Sequence, residues 1–270
     1  MDYFWDVQKS SYKVLSKNKI KLIRSLDLKK NRSATGLFIA EGKKLVFDLL
    51  ESDIVASELF CTKQAASEIV SHKADVKIET VDKEDLARIS FLKTTPDIVG
   101  IFRIPKSEID WDEIKEELTL VLDAIQDPGN LGTIVRLADW FGIRNIICSD
   151  DSADLFNPKV VQSTMGALAR VKVHYVSLSK FMNNAKELDI PIYGTFMEGE
   201  NLYKCNLTAN GLVVMGNEGN GISENTTACI SRKISIPSYP PGVATSESLN
   251  VAMAASIICS EFRKRSICKD

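Results

Sequence analysis

Histidine is nearly absent. Only His72 and His174 occur in 270 residues, and neither stands beside a cluster of cysteines. The six cysteines (Cys61, Cys148, Cys205, Cys229, Cys259 and Cys268) are scattered and form no C-x-x-C pair, which excludes the ligand spacing of a structural zinc site. Several lie in apolar runs such as NIIC and SIIC, where a reduced thiol acts as a small core residue. No metal is therefore expected. Long apolar runs are missing as well. No stretch approaches the ~20 residues of a membrane-spanning helix, and the opening MDYFWDVQKSSYKVL has no apolar segment ahead of a small-residue cleavage site. The expectation is a cytoplasmic protein.

What is present is ordinary in bulk and uneven in distribution. With 44% hydrophobic and 26% charged residues, the chain can bury a core of its own, and its length favours two domains. The net charge of −2 hides an asymmetry. Residues 1–44 carry 11 Lys/Arg against 4 Asp/Glu, a net +7, and the remainder carries a net −9. Screening confines charge effects to roughly 8–10 Å, so a basic arm can bind phosphates whatever the total. Lys17, Lys19, Lys21, Lys29, Lys30 and Arg32 are its candidate substrate contacts. A solvated Lys-rich helix face is the plainer alternative.

Short β-branched or aromatic runs alternate with helical patterns along the whole chain, as in an α/β protein. Strands are expected near residues 37–40, 58–62, 77–80 and 98–104 in the first half. LTLVLDAI, RNIICSD, VKVHYVS, IPIYGTF, GLVVMGNE and KISIPS should supply those of the second. The acidic stretch KSEIDWDEIKEE between the halves reads as a linker, giving domains at 1–108 and 115–270. The later strands are apolar enough to be buried on both faces, which implies a parallel sheet whose ligands bind beyond the carboxyl ends of its strands.

Three places at such ends carry polar residues. In LDAIQDPGNLGTIVRLADWFGI, Pro128 and Gly129 suggest a turn and Asn130 a helix N-cap, with the helix stopping near Gly142. Leu131, Ile134, Val135, Ala138 and Phe141 form an apolar stripe, and Arg136 lies roughly 140° away from it. Arg136 is thus either an ordinary surface arginine or a functional one. In GLVVMGNEGNGIS, Gly216, Gly219 and Gly221 bracket Asn217 and Glu218, so the backbone can wrap a small ligand or simply turn into a helix. The loop lacks the Lys-Ser/Thr ending of a P-loop. In ISIPSYPPGVATSESLNVAMAAS, a Pro/Gly/Ser loop leads to a helix expected to begin near Ser248, which is its candidate cap; Asn250 follows at the same mouth.

Taken together, N-L-G-T-I-V-R at 130–136, M-G-N-E-G-N-G at 215–221 and S-L-N-V at 248–251 resemble the three ordered motifs of the SpoU/TrmH family of RNA ribose methyltransferases. The resemblance covers about residues 118–265. In the first half, G-L-F-I-A-E-G-K-K-L-V at 36–46 is similar to the opening of the family's substrate-binding extension. One departure stands out: the loop SYPPGVATSE is several residues longer than is usual in the family.

The resemblance implies a small α/β substrate-binding domain followed by a parallel-sheet methyltransferase domain whose carboxy-terminal chain forms a trefoil knot. It implies S-adenosylmethionine as cofactor, rRNA or tRNA as partner, and a homodimer formed through the carboxy-terminal domain. Met215, Gly216, Asn217, Gly219, Ile236, Pro237 and Leu249 are the implied cofactor contacts. Arg136 takes the central catalytic role, supported by Asn130, Glu218, Ser248 and Asn250. An arginine is a poor conventional base, so stabilisation of charge on the attacking ribose oxygen is the favoured function. Methylation of a base atom, a non-catalytic RNA-binding homologue and a nicotinamide-dependent oxidoreductase are the competing readings. The last lacks an early strand, Gly-rich turn and helix.

Overall fold

The computed structural model describes residues 14–70 and 76–267. Residues 1–13 of the basic segment, His72 and Cys268 lie outside them. The chain divides into two compact units, residues 1–106 with 156–169, and residues 107–155 with 170–270.

The first unit is built from α1 (Lys17–Ser25), α2 (Lys29–Thr35), β1 (Leu37–Glu41), α3 (Lys43–Leu50), β2 (Ala56–Cys61), α4 (Lys63–Val70), β3 (Ile78–Thr80), α5 (Lys83–Ile89) and β4 (Ile98–Arg103). Its sheet has the order β1-β4-β2-β3. The β1–β4 and β4–β2 pairs are antiparallel and β2–β3 is parallel. Ile23, Leu26, Ile39, Phe60, Leu86, Ile89 and Val99 close one side of its core. Ser16 caps α1 by accepting from the Lys19 amide at 3.2 Å, and Asp82 caps α5 by accepting from the Asp85 amide at 2.7 Å.

Arg32 and Lys19, among the six candidate substrate contacts in this unit, are engaged within the fold. Arg32 is 2% exposed. Its guanidinium donates to the Leu26 and Asp27 carbonyls at 2.7 and 2.8 Å, so it ties α2 to the end of α1 and is no phosphate ligand. Lys19 is half-buried and paired with Glu58 at 2.8 Å. Lys17, Lys21, Lys29 and Lys30 are exposed.

The second unit contains α6 (Trp111–Glu116), β5 (Leu118–Leu122), α7 (Pro128–Trp140), β6 (Asn145–Ser149), β7 (Lys172–Val176), α9 (Leu178–Glu187), β8 (Ile192–Asn201), β9 (Gly211–Met215), α10 (Glu224–Thr227), β10 (Arg232–Ser235) and α11 (Val251–Ile267). The intervening α8 (Pro158–Ser163) packs on β1 of the first unit, where Phe156 meets Phe38 at 4.8 Å. Six strands in the order β10-β8-β9-β5-β6-β7 form one sheet, and every pairing is parallel. Strands β5, β6 and β9 are buried at every position, as double-sided coverage by helices requires.

Three local expectations need correction. The acidic stretch read as linker folds partly into α6, because Asp110 accepts from the amides of Asp112 and Glu113 and Ile114 is fully buried in the core. Helix α7 is capped by Asp127, whose Oδ1 accepts from the Asn130 amide at 2.8 Å, with Pro128 at the first helical position. Asn130 therefore sits inside the helix. Helix α11 begins at Val251, and its cap is Asn250, whose Oδ1 accepts from the amides of Ala252 and Met253 at 3.0 and 3.3 Å. Ser248 is exposed ahead of it.

Candidate active site

Adjacent parallel strands β5 and β9 end side by side, and the segments that leave them carry the polar residues singled out above. Strand β9 runs into a tight hairpin. The Asn217 amide donates to the Gly221 carbonyl at 2.9 Å, and the Gly221 amide donates back at 2.8 Å. Gly221 has φ +69°. A Cβ on Gly216 would lie 2.3 Å from the Gly221 carbonyl carbon, so only glycine fits there. Asn217 folds the loop inward: its Oδ1 accepts from the amides of Gly219 and Asn220 at 2.9 and 3.1 Å, and its Nδ2 donates to the Ala124 carbonyl at 2.8 Å.

That hairpin delivers Glu218 to the first turn of α7 and to the start of α11. Glu218 Oε1 accepts from Asn130 Nδ2 at 2.8 Å, from Asn250 Nδ2 at 3.0 Å and from the Val251 amide at 3.4 Å. Asn250 Nδ2 also donates to Asn130 Oδ1 at 3.0 Å. One residue from each of the three motifs, separated by up to 120 positions in the chain, is thus joined in a single hydrogen-bonded cluster. Beside it Ile125, Gln126, Asp127, Asn130, Asn217, Glu218, Gly219 and Val251 line an open cleft of about 250 Å³.

Not every expected residue joins this cluster. Met215 is buried at the end of β9, while Gly216 sits at the close approach of the hairpin. Ile236 and Pro237 follow β10, half-buried and exposed respectively, and Leu249 is 50% exposed before α11; none of the three lines the cleft. Arg136 is exposed and, among the described residues, makes no hydrogen bond or ion pair. It shares an exposed face of α7 with Thr133 and Trp140, the last 84% exposed, because three- and four-residue steps return to one side of a helix.

Among the described residues, histidine takes no part. His174 is buried, with Nε2 3.1 Å from Asn145 Oδ1 and Nδ1 3.3 Å from Ser107 Oγ. Burial holds its pKa below the ordinary value. The five described cysteines are free and buried, and burial pushes the thiols of Cys61 and Cys259 up to about 11 and about 12. Among the described residues no cluster of His, Cys, Asp and Glu is placed to hold a metal, and no helix is long and apolar enough to cross a membrane. Sequence reasoning missed Asp123, which is buried and accepts from both the amide and the hydroxyl of Ser223 at 2.9 and 2.7 Å, securing the loop after the hairpin.

Residues 117–260 match the sequence model of the SpoU rRNA Methylase family, and residues 17–100 match that of the MRM3-like substrate binding domain. The 23S rRNA (guanosine-2'-O-)-methyltransferase RlmB of Neisseria meningitidis serogroup B is 31% identical over 246 residues, 88% of this chain and 90% of its own. A solved structure from Porphyromonas gingivalis, assigned to the TrmH family of RNA methyltransferases, is 39% identical. It covers 94% of this chain and 100% of its own with a TM-score of 0.86. An AdoMet-bound rRNA methyltransferase structure from Sinorhizobium meliloti is 27% identical, covering 94% of this chain and 98% of its own with a TM-score of 0.82.

Proposed function

Because this chain belongs to the SpoU rRNA methylase family, we propose that it transfers a methyl group from S-adenosylmethionine to a ribose 2′-hydroxyl of rRNA or tRNA. The observation that carries this reading is the cluster of Asn130, Glu218 and Asn250, which unites all three motifs at the carboxyl edge of the sheet.

Gly216, with its neighbours Met215, Asn217 and Gly219, and the residues Ile236, Pro237 and Leu249 would hold the cofactor. The residue types suit the group: Ile236 and Leu249 offer apolar carbon to a flat adenine, the loop at Gly216 offers backbone N–H and C=O groups, and Glu218 on that loop is engaged with Asn130 and Asn250. When bound, the cofactor supplies a methyl group on a sulfonium, already activated for transfer. The chain's own task is the nucleophile. A ribose hydroxyl is a weak acid, so the charge growing on its oxygen needs a cation or directed donors. Arg136, exposed and with no ion pair among the described residues, offers a permanent charge and several N–H donors. Asn130, Glu218 and Asn250 fix the helix that carries it, and Ser248 is an exposed hydroxyl beside them.

Dimerisation belongs to the same proposal. Helices α7 and α11 pack together and present Trp140, 84% exposed, and Met253, 62% exposed. Large apolar side chains so open to water suit a subunit interface, and Arg136 on the face of Trp140 would then be directed toward the partner's site. The knotted path implied by the resemblance is supported by β10 lying beside β8 instead of β9 and by the packing of α11 against α7. The first unit, with Lys17, Lys21, Lys29 and Lys30 exposed, would contact the RNA, and the reaction would take place in the cytoplasm without a metal.

Calorimetric titration of the full chain with S-adenosylmethionine, followed by transfer of labelled methyl to RNA, tests the reading. Binding and transfer are both expected. A folded chain that binds no cofactor would overturn it.

A further inference from the structure

Between the end of β5 and the cap of α7 the chain passes through Ala124, a non-glycine residue held at φ +57°. Left-handed backbone is disfavoured for an L-residue by the crowding of its Cβ, and such conformations persist only where surrounding groups over-determine them. Here the surroundings are unusually complete. The Ala124 amide donates to Ser149 Oγ at 2.8 Å, and its carbonyl accepts from Asn217 Nδ2 at 2.8 Å. The next residue, Ile125, donates its amide to Ser152 Oγ at 3.2 Å and accepts the Ala153 amide at 2.8 Å.

The hydroxyl protons can be assigned. Ser149 Oγ donates to Asp151 Oδ1 at 2.5 Å. Having given away its one proton, Ser149 Oγ can only accept in its contact with Ser152 Oγ, 3.0 Å distant, and the Ser152 proton has either Ser149 Oγ or the Leu122 carbonyl, at 3.4 Å, as its acceptor. Asp151 thereby orients Ser149 as an acceptor for Ala124, and Ser152 Oγ, its own proton directed to Ser149 or to Leu122, accepts from Ile125.

We propose that Ser149, the last residue of β6, and Ser152, on the segment that follows, are positioning residues for methyl transfer: they clasp the left-handed turn at Ala124 and so set the entry of α7, which carries Asn130 and Arg136. Neither serine lines the cleft, and none of the three motifs contains them. They act through the backbone of residues 124 and 125. The inference rests on the methyltransferase reading for its catalytic consequence but not for the clasp itself.

Two readouts on the full chain separate these. Hydrogen exchange of the Ala124 and Ile125 amides needs neither RNA nor cofactor. In Ser149→Ala the Ala124 amide should exchange faster, while amides of β5 and β9 remain as protected as in the wild type. In Ser152→Ala the same is expected at Ile125. Steady-state methyl transfer is the second readout. Ser149→Ala should lower kcat about ten- to a hundredfold, the scale of a small misplacement of reacting groups, with the KM for RNA little changed. Because glycine adopts positive φ without steric cost, adding Ala124→Gly to Ser149→Ala should restore most of the lost kcat. Unchanged exchange at both amides would overturn the clasp. Unchanged kcat in Ser149→Ala, or no recovery in the Ala124→Gly double variant, would overturn its role in positioning.

Discussion

At the scale of single residues, the account asks most of Arg136. Its side chain is exposed and makes no hydrogen bond or ion pair among the described residues, so its loss should leave the fold intact, within about 0.5 kcal/mol. Removing a donor aimed at developing charge lowers turnover about a hundred- to a thousandfold. Arg136→Ala is therefore expected to keep the wild-type melting temperature and cofactor affinity while methyl transfer nearly vanishes; a parallel loss of cofactor affinity would show that the residue serves binding instead. Arg32 should behave in the opposite way. Buried and donating to two carbonyls, it is expected to cost several kcal/mol when replaced by alanine, since both acceptors lose a charged partner. Denaturant unfolding would reveal this, and a stability equal to that of the wild type would contradict it. Sequence alone offered both arginines as functional, Arg136 as catalytic and Arg32 as a substrate contact, because burial of an arginine depends on chain brought in from elsewhere.

Among elements, the helix starts show what was legible and what was not. The buried strands β5, β6 and β9 were readable because unbroken apolar runs flanked by polar residues survive as such in a doubly covered sheet. The cap of α7 was misread as Asn130 although its signal was present: Pro128 favours the first helical position, which makes Asp127 the cap and frees Asn130 to reach Glu218. No comparable signal marked the left-handed turn at Ala124, because alanine has no preference for it and its partners come from two segments distant in the chain, 149–153 and Asn217. Helix α6 was hidden by its charge, with Trp111 and Ile114 as its only apolar residues.

The ends of β6 and β7 support a pH prediction. Burial chiefly, aided by the charge of Lys172 and opposed by Glu113, holds the pKa of His174 below 6.5. The unfolded chain then binds this proton more tightly than the folded one. The stabilisation from neutral His174 is fully present above pH 6.5 and is lost as pH falls below it. Melting temperature followed from about pH 7.5 down to about pH 5.5 should fall less steeply in His174→Gln than in the wild type; equal slopes would mean that His174 is not a source of the pH dependence.

For the whole molecule, charge distribution says more than net charge. Lys17 and Lys21 on α1 and Lys29 and Lys30 on α2 are exposed basic residues on a chain of net charge −2. If they meet phosphates, replacing them with glutamine should weaken RNA binding without touching cofactor affinity, and each lost contact to single-stranded RNA should flatten the dependence of log affinity on log salt by about 0.7. An unchanged salt slope would place the RNA surface elsewhere. The central claim, however, concerns where the methyl group goes. RNA treated with the full chain and isotopically labelled S-adenosylmethionine, digested to nucleosides and analysed by mass spectrometry, answers this most directly. The account predicts label on the ribose, with none on the base and little anywhere when Arg136→Ala replaces the wild type; label on a base atom would contradict it.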